Sequence, residues 1–181
     1  GVNENLEAKP WLVKEYTLSE DSLVYTLKLH ENVKWHDGNN LTAEDVKFTY
    51  EYVLKHKKSR FTTPASNIQE IKILDTYTLQ MVLKTPQPDF LVAPFAELPI
   101  MPKHIWEKLD NPNESKERIG SGPYKLVDVQ AGQYYKLEAN KEFFKGTPAV
   151  DEIVISVIKD VTSLFTALKA GELDVANRTI S

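Results

Sequence analysis

Hydrophobic and polar positions alternate with period two in four short stretches of the first half of the chain. This alternation is typical of half-buried β-strands. The strands predicted in this half lie at residues 11–17, 23–30, 68–74 and 78–84. The first two are separated by the polar turn 19–22, and the last two form a predicted hairpin across 75–77.

The period lengthens to that of an α-helix between about residues 42 and 57. The apolar stripe of this helix consists of Val46, Tyr50, Val53 and Leu54. Thr42 and Asp45 precede the stripe at the spacing of a capping box, with Asp45 in the place of the usual Glu or Gln. Shorter helices are predicted at 90–95 and at 102–109, the second with Pro102 as its first residue.

The pattern changes after the polar run 110–116, which is the best linker candidate. Strands are predicted at 124–129, from the turn at 131–132 to 139, at 153–158 and at 173–176. Asp160 is predicted to cap a helix that Gly171 ends. We therefore predict a mixed α/β (α+β) fold in two parts that join near residue 118, with helices flanking a mixed sheet.

Composition narrows the functional classes. The net charge of −4 and the pI of about 5.6 provide no basic surface for nucleic acid. No apolar run approaches the roughly 18 residues of a membrane-spanning helix. The chain has no cysteine, which excludes disulfides, thiolate nucleophiles and cysteine-bound metals. It begins without an initiator Met or an export signal and stops five residues after the predicted strand 173–176, so we expect it to be a piece of a longer polypeptide.

No residue pattern predicts catalysis, a metal or a cofactor. The four histidines are far apart and show no metal-binding spacing. His36 and Asp37 are adjacent, but no nucleophile motif accompanies them, so we interpret them as turn residues before Gly38. Gly120–Ser121–Gly122 is followed by a proline, which breaks the phosphate-loop patterns. We interpret it as a tight entry to a strand.

Three stretches resemble one known family. They are residues 23–38 (LVYTLKLHENVKWHDG), 41–49 (LTAEDVKFT) and 120–126 (GSGPYKL). Residues 140, 144–146 and 171–175 fit the downstream pattern of the same family. In this order and over nearly the whole chain, they are similar to family 5 extracellular solute-binding proteins, the oligopeptide, dipeptide and nickel-binding class of ABC importers.

The resemblance departs from the family pattern at several places. His30 lies where the family usually has Arg or Lys, and Phe143–Phe144 replaces the usual aromatic pair. Members are also about three times as long. The resemblance therefore implies an incomplete lobe of the type II periplasmic-binding-protein fold. Residues 1–118 would be the smaller subdomain of lobe I, residues 119–181 would be part of the sheet bordering the cleft, and lobe II would be absent.

The resemblance also implies what the protein does. It would be a monomeric, non-enzymatic receptor outside the cytoplasmic membrane, in the periplasm or held by a lipid anchor. Its partners would be a small solute, most simply a peptide, and the permease subunits of an ABC importer. The ligand-binding residues that we predict on this chain are Ser121 and Gly122, through their backbone, and Trp35.

Several alternatives stay open at this point. A nickel chelate and an oligosaccharide stay open as alternatives to a peptide solute. A peptide-sensing receptor would use the same lobes without transport. A carbohydrate hydrolase would need a carboxyl group of raised pKa in a cleft, and the sequence indicates none.

Overall fold

Among the residues that the structure describes, two antiparallel sheets carry the strands, one in each half of the chain. The structure is a computed structural model that describes residues 11–56, 59–91, 98–109 and 117–176. Within these residues the chain divides into two compact units. The first unit consists of Gly1–Gly122 with Glu142–Gly146, and the second of Pro123–Lys141 with Thr147–Ser181.

The first unit contains a four-stranded sheet in the order β1-β2-β4-β3. Its strands are β1 (Val13–Leu18), β2 (Val24–Leu29), β3 (Ile68–Ile73) and β4 (Thr78–Leu83). All three pairings are antiparallel. The four predicted strands are confirmed to within two residues at either end, because their alternation reflects a sheet with one buried face.

The core of this unit lies on one face of β2 and β4. Leu27 and Leu79 are register partners, and both are fully buried. Tyr25 packs against Phe90 with ring centroids 5.0 Å apart. The side chains of β2 that point to the other face of the sheet are only half-buried, because successive residues of a strand point to opposite faces.

Helix α1 (Ala43–Lys55) covers the core, and its predicted capping box is confirmed. The Asp45 carboxylate accepts the backbone N–H of Thr42 at 2.8 Å and its hydroxyl at 3.3 Å. The predicted stripe faces inward, with Val46, Tyr50 and Val53 buried. α2 (Ser59–Ala65), β3 and α3 (Lys103–Trp106) all pack against this helix.

Helix α3 is shorter than predicted. It ends at Trp106 instead of residue 109, and Pro102 is its N-cap, with extended backbone, instead of its first helical residue. The proline still suits this place, because neither position needs its missing N–H. The predicted helix 90–95 falls mostly outside the described residues, and the predicted linker 110–116 lies wholly outside them.

The second unit contains a three-stranded sheet in the order β5-β6-β7 and one helix. Its elements are β5 (Tyr124–Gln130), β6 (Tyr134–Ala139), β7 (Glu152–Ser156) and α4 (Val161–Lys169). The predicted cap of the helix is confirmed, since Asp160 accepts the backbone N–H of Ser163 at 2.9 Å. Gly171 follows the helix with φ of 74°, a conformation that favours glycine.

Two expectations about the sheets differ from the structure. Residues 173–176 were predicted to form a strand, and this was wrong, because no described strand pairs with them and Val175 is 79% exposed. A strand needs a neighbour to bond its backbone. The sheet was expected to be mixed, whereas every pairing among the described strands is antiparallel.

The two units divide between Gly122 and Pro123, four residues after the predicted join. The return of Glu142–Gly146 to the first unit was not predicted. The assignment of the units to subdomains of a lobe stays a prediction. No helix among the described residues is both long and apolar enough to cross a membrane.

Candidate functional site

The candidate site consists of the turn at residues 35–38 and the loop 120–122 that it contacts. Hydrogen bonds and a buried side chain fix the conformation of the turn. Trp35 is 2% exposed, and its backbone N–H donates to the Asn39 carbonyl at 2.8 Å. The Gly38 N–H donates back to the Trp35 carbonyl at 2.9 Å, and Gly38 has φ of 92°. The buried indole and these bonds fix the direction in which the next residue, His36, projects.

His36 contacts the predicted ligand loop, residues 120–122, at three points. Its backbone N–H donates to the Gly120 carbonyl at 2.8 Å. The Gly120 N–H donates to His36 Nδ1 at 3.2 Å. His36 Nε2 lies 3.0 Å from the Gly122 carbonyl oxygen. The turn and the loop are therefore joined, although more than 80 residues separate them along the chain.

The structure places the three predicted ligand residues in different surroundings. Ser121 and Gly122 are half-buried in the loop that His36 holds. A Cβ at Gly122 would meet no described atom within 4 Å, so open space lies beside this residue. Trp35 belongs to the core, and its Nε1 has no hydrogen-bond partner within the described residues. Contact of these residues with a solute stays a prediction.

A second feature near the turn was missed by sequence reasoning. His104 Nε2 lies 2.7 Å from Asp37 Oδ2 and 3.3 Å from Asn39 Nδ2. Partial burial acts to raise the pKa of Asp37, but the hydrogen bonds from His104 and Asn39 outweigh it and hold the pKa below its usual range. No local pattern could reveal this pair, because 67 positions separate its members.

Asn39 and His104 border a shallow hollow of about 350 Å³ on the first unit. Its lining consists of Asn39, Asn40, Thr42, Asp45, Lys103, His104 and Glu107. Two contacts engage its polar groups: Lys103 Nζ lies 2.9 Å from Glu44 Oε2, and the Asp45 carboxylate accepts the backbone N–H of Lys103 at 2.9 Å. The hollow therefore lies between helices α1 and α3, which these contacts hold together.

An aromatic cluster holds the segment Glu142–Gly146 on the first unit. The ring centroids of Trp11 lie 6.0 Å from Phe143 and 6.3 Å from Phe144, and Lys145 Nζ lies 4.2 Å from the Trp11 ring centroid. Burial, followed by the charges of Lys145 and Lys14, lowers the pKa of nearby His30. The two phenylalanines that depart from the family pattern thus serve packing.

The histidines are not gathered into a metal centre in the part of the chain that the structure describes. No group of three or more histidine and acidic side chains there is arranged to hold a metal ion. Instead, His36 contacts a loop, His104 pairs with Asp37, and His30 and His56 each pack against an aromatic ring.

The chain is similar in sequence to two bacterial binding proteins. The chain is 32% identical over 183 residues to the oligopeptide-binding protein AppA of Bacillus subtilis (strain 168), covering 97% of the chain and 34% of that protein. It is 29% identical over 170 residues to the nickel-binding periplasmic protein of Escherichia coli (strain K12), covering 92% of the chain and 32% of that protein. It thus spans about a third of the length of these relatives.

Solved structures agree with the sequence comparison. The AppA structure from B. subtilis in complex with a nonapeptide has a TM-score of 0.88 and 32% identity, over 95% of this chain and 36% of that one. NikZ from Campylobacter jejuni in complex with Ni(L-His) has a TM-score of 0.86 and 31% identity, over 96% and 36% of the two chains. The expected fold class is therefore confirmed.

The family itself follows from residues 7–181, which match the profile described as bacterial extracellular solute-binding proteins, family 5 Middle. The chain belongs to this family.

Proposed function

We propose that the polypeptide containing this chain is the substrate-binding component of an ABC importer, which captures an oligopeptide outside the membrane and delivers it to a permease. The observation that carries the proposal is the match, over 95% of the chain, to an oligopeptide-binding protein solved with a nonapeptide. In keeping with the binding proteins it resembles, we assign it no catalytic role and expect it to act as a monomer.

A peptide is preferred to a nickel chelate as the solute because of the curated relatives. Those named as peptide-binding are 31–32% identical to this chain, and the nickel-binding protein is 29% identical. The margin is small, so the nickel chelate is kept as the second solute class. NikZ, solved with Ni(L-His), supports it with a TM-score of 0.86.

Ser121 and Gly122 are the residues that we assign to solute contact. Two features of the loop support this: its backbone is held by His36, and open space lies beside Gly122. A fixed backbone suits recognition of a peptide main chain, because its N–H and C=O groups are the same for every peptide sequence. Trp35, at 2% exposed, would serve the site by fixing the turn.

The cellular location of the polypeptide follows from the same proposal. A receptor that hands solute to an importer works on the outer side of the cytoplasmic membrane, so we place the polypeptide in the periplasm or at the cell surface. A lipid anchor is one way of keeping it there. Labelling of intact cells with a membrane-impermeant reagent tests this placement, and protection of the protein from the reagent would contradict it.

Transport is separated from sensing by an uptake assay. Cells lacking the gene are given a radiolabelled tripeptide, and its accumulation is compared with that in wild-type and complemented cells. Loss of uptake that complementation restores is the result expected for an importer component. Unchanged uptake, together with peptide binding by the purified protein, would favour a sensing receptor instead.

A further inference from the structure

The ring of His36 is held in one defined chemical form by the loop that it contacts. Because the Gly120 N–H is a donor, His36 Nδ1 has to offer its lone pair. The proton of a neutral imidazole then resides on Nε2, which donates to the Gly122 carbonyl. One side chain thus supplies an acceptor for the start of the loop and a donor for its end.

Packing reinforces these hydrogen bonds. A Cβ at Gly120 would lie 3.3 Å from His36 Cε1, so the ring rests directly against the Gly120 backbone. A Cβ at Gly122 would meet open space in the described part of the chain. The imidazole therefore fills the side of the loop at Gly120 and leaves open the space beside Gly122.

The turn that bears His36 is itself immobilised. Trp35, its neighbour, lies in the hydrophobic core at 2% exposure, and the Lys34–Asn40 bridge closes the turn. The core therefore holds Trp35, Trp35 fixes the turn that bears His36, and His36 holds residues 120–122. A loop held in this way does not need to be ordered when a ligand arrives.

We propose that His36 is a positioning residue for solute binding, which fixes the Ser121–Gly122 backbone in the conformation that receives the solute. The inference rests on the proposed function, because it takes this loop as part of the solute site. Its physical basis is preorganisation: groups that are already ordered lose less entropy when the ligand binds. His36 itself does not need to touch the solute.

The test uses the full-length polypeptide and calorimetric titration with tripeptides, with trialanine as the first probe. His36→Ala removes both ring hydrogen bonds, and we expect the affinity to fall about tenfold or more, with a less favourable binding entropy. His36→Gln places an amide near the position of Nε2 and should recover part of the loss. His56→Ala replaces a histidine of the same unit at the C-terminal end of helix α1, away from the loop and its turn, so it is the matched control and should bind as the wild type does.

The outcomes separate the inference from the proposed function. If His36→Ala binds trialanine like the wild type, whereas Gly122→Val does not bind it, the loop is part of the site but His36 does not position it. If the wild type binds neither trialanine nor longer peptides, the proposed peptide function fails, and this inference fails with it. Equal loss in His36→Ala and His36→Gln, with both variants folded, would also overturn the inference.

A second measurement applies if His36→Ala does not fold. The ¹⁵N shifts of the imidazole in the wild-type protein report which nitrogen carries the proton. We expect the proton on Nε2 and an unprotonated Nδ1, both before and after peptide is added. A proton on Nδ1 would contradict the Gly120 hydrogen bond and overturn the positioning role.

Discussion

Asp45 joins helix α1 to the segment that leads into helix α3, and its replacement by Asn is a sharp test of the packing described above. The side chain is 5% exposed. One carboxylate oxygen accepts the Thr42 N–H at 2.8 Å, and the other accepts the Lys103 N–H at 2.9 Å. Asn has nearly the same shape but only one accepting oxygen, so in either orientation of the amide one of the two N–H groups faces another donor.

The size of the effect follows from these two contacts. A hydrogen bond to a charged group contributes about 1.5–3 kcal/mol, and a buried N–H left unpaired costs about 1–3 kcal/mol. The two figures partly describe the same loss, so we expect Asp45→Asn to destabilise the first unit by about 3 kcal/mol. This corresponds to a change of more than about a hundredfold in its unfolding equilibrium constant.

Tryptophan fluorescence during urea unfolding of the full-length polypeptide is a suitable assay. Within this chain, all three tryptophans, Trp11, Trp35 and Trp106, belong to the first unit. Glu44→Gln is the control, because the adjacent Glu44 makes only an exposed ion pair with Lys103 and should cost less than about 1 kcal/mol. Equal stability of the Asn variant and the wild type, with unchanged exchange of the Lys103 amide, would refute the two backbone hydrogen bonds assigned to the Asp45 carboxylate.

Three further predictions concern stability and pH. Leu27→Ala, at a fully buried position, should cost about 2–5 kcal/mol in the same fluorescence assay, whereas Leu18→Ala on the exposed side should cost far less. Asp160→Ala should weaken helix α4 by about 0.5–2 kcal/mol, measured as faster amide exchange in 161–169; unchanged exchange would contradict the cap. Because the pKa of His30 is lowered in the folded chain, the unfolded chain takes up the proton first as the pH falls below about 6.5. The contribution of neutral His30 to the free energy of unfolding is therefore complete above that pH and declines below it. His30→Gln should reduce the fall in urea midpoint between pH 7.5 and 5.5, and an identical fall would contradict this reasoning.

The secondary structure of the chain was largely predictable from local patterns. Strand β2 alternates because one face is buried, and helix α1 has a stripe because one side is buried. Asp45 and Asp160 identify helix starts by bonding backbone groups three residues or fewer away. Residues 173–176 show the limit of the method, because an alternating pattern cannot supply the neighbouring strand that pairing requires.

The candidate site was predictable only in part. Its loop, residues 120–122, stood out because of its resemblance to a family motif, and His36 stood out only as a turn residue. Their contact spans more than 80 positions, and no periodicity carries information over that distance. The same holds for the Asp37–His104 pair and for Asp45 accepting from Lys103, since each depends on how distant segments meet.

The central claim is that the full polypeptide is a receptor for small peptides, and native mass spectrometry of the protein purified without refolding tests it most directly. We predict a retained mass that corresponds to a short peptide and is lost when the protein is unfolded. A retained nickel chelate or sugar would contradict the peptide assignment within the same family. A protein that is empty, and that stays empty when offered peptides, nickel–histidine and oligosaccharides, would contradict the receptor function.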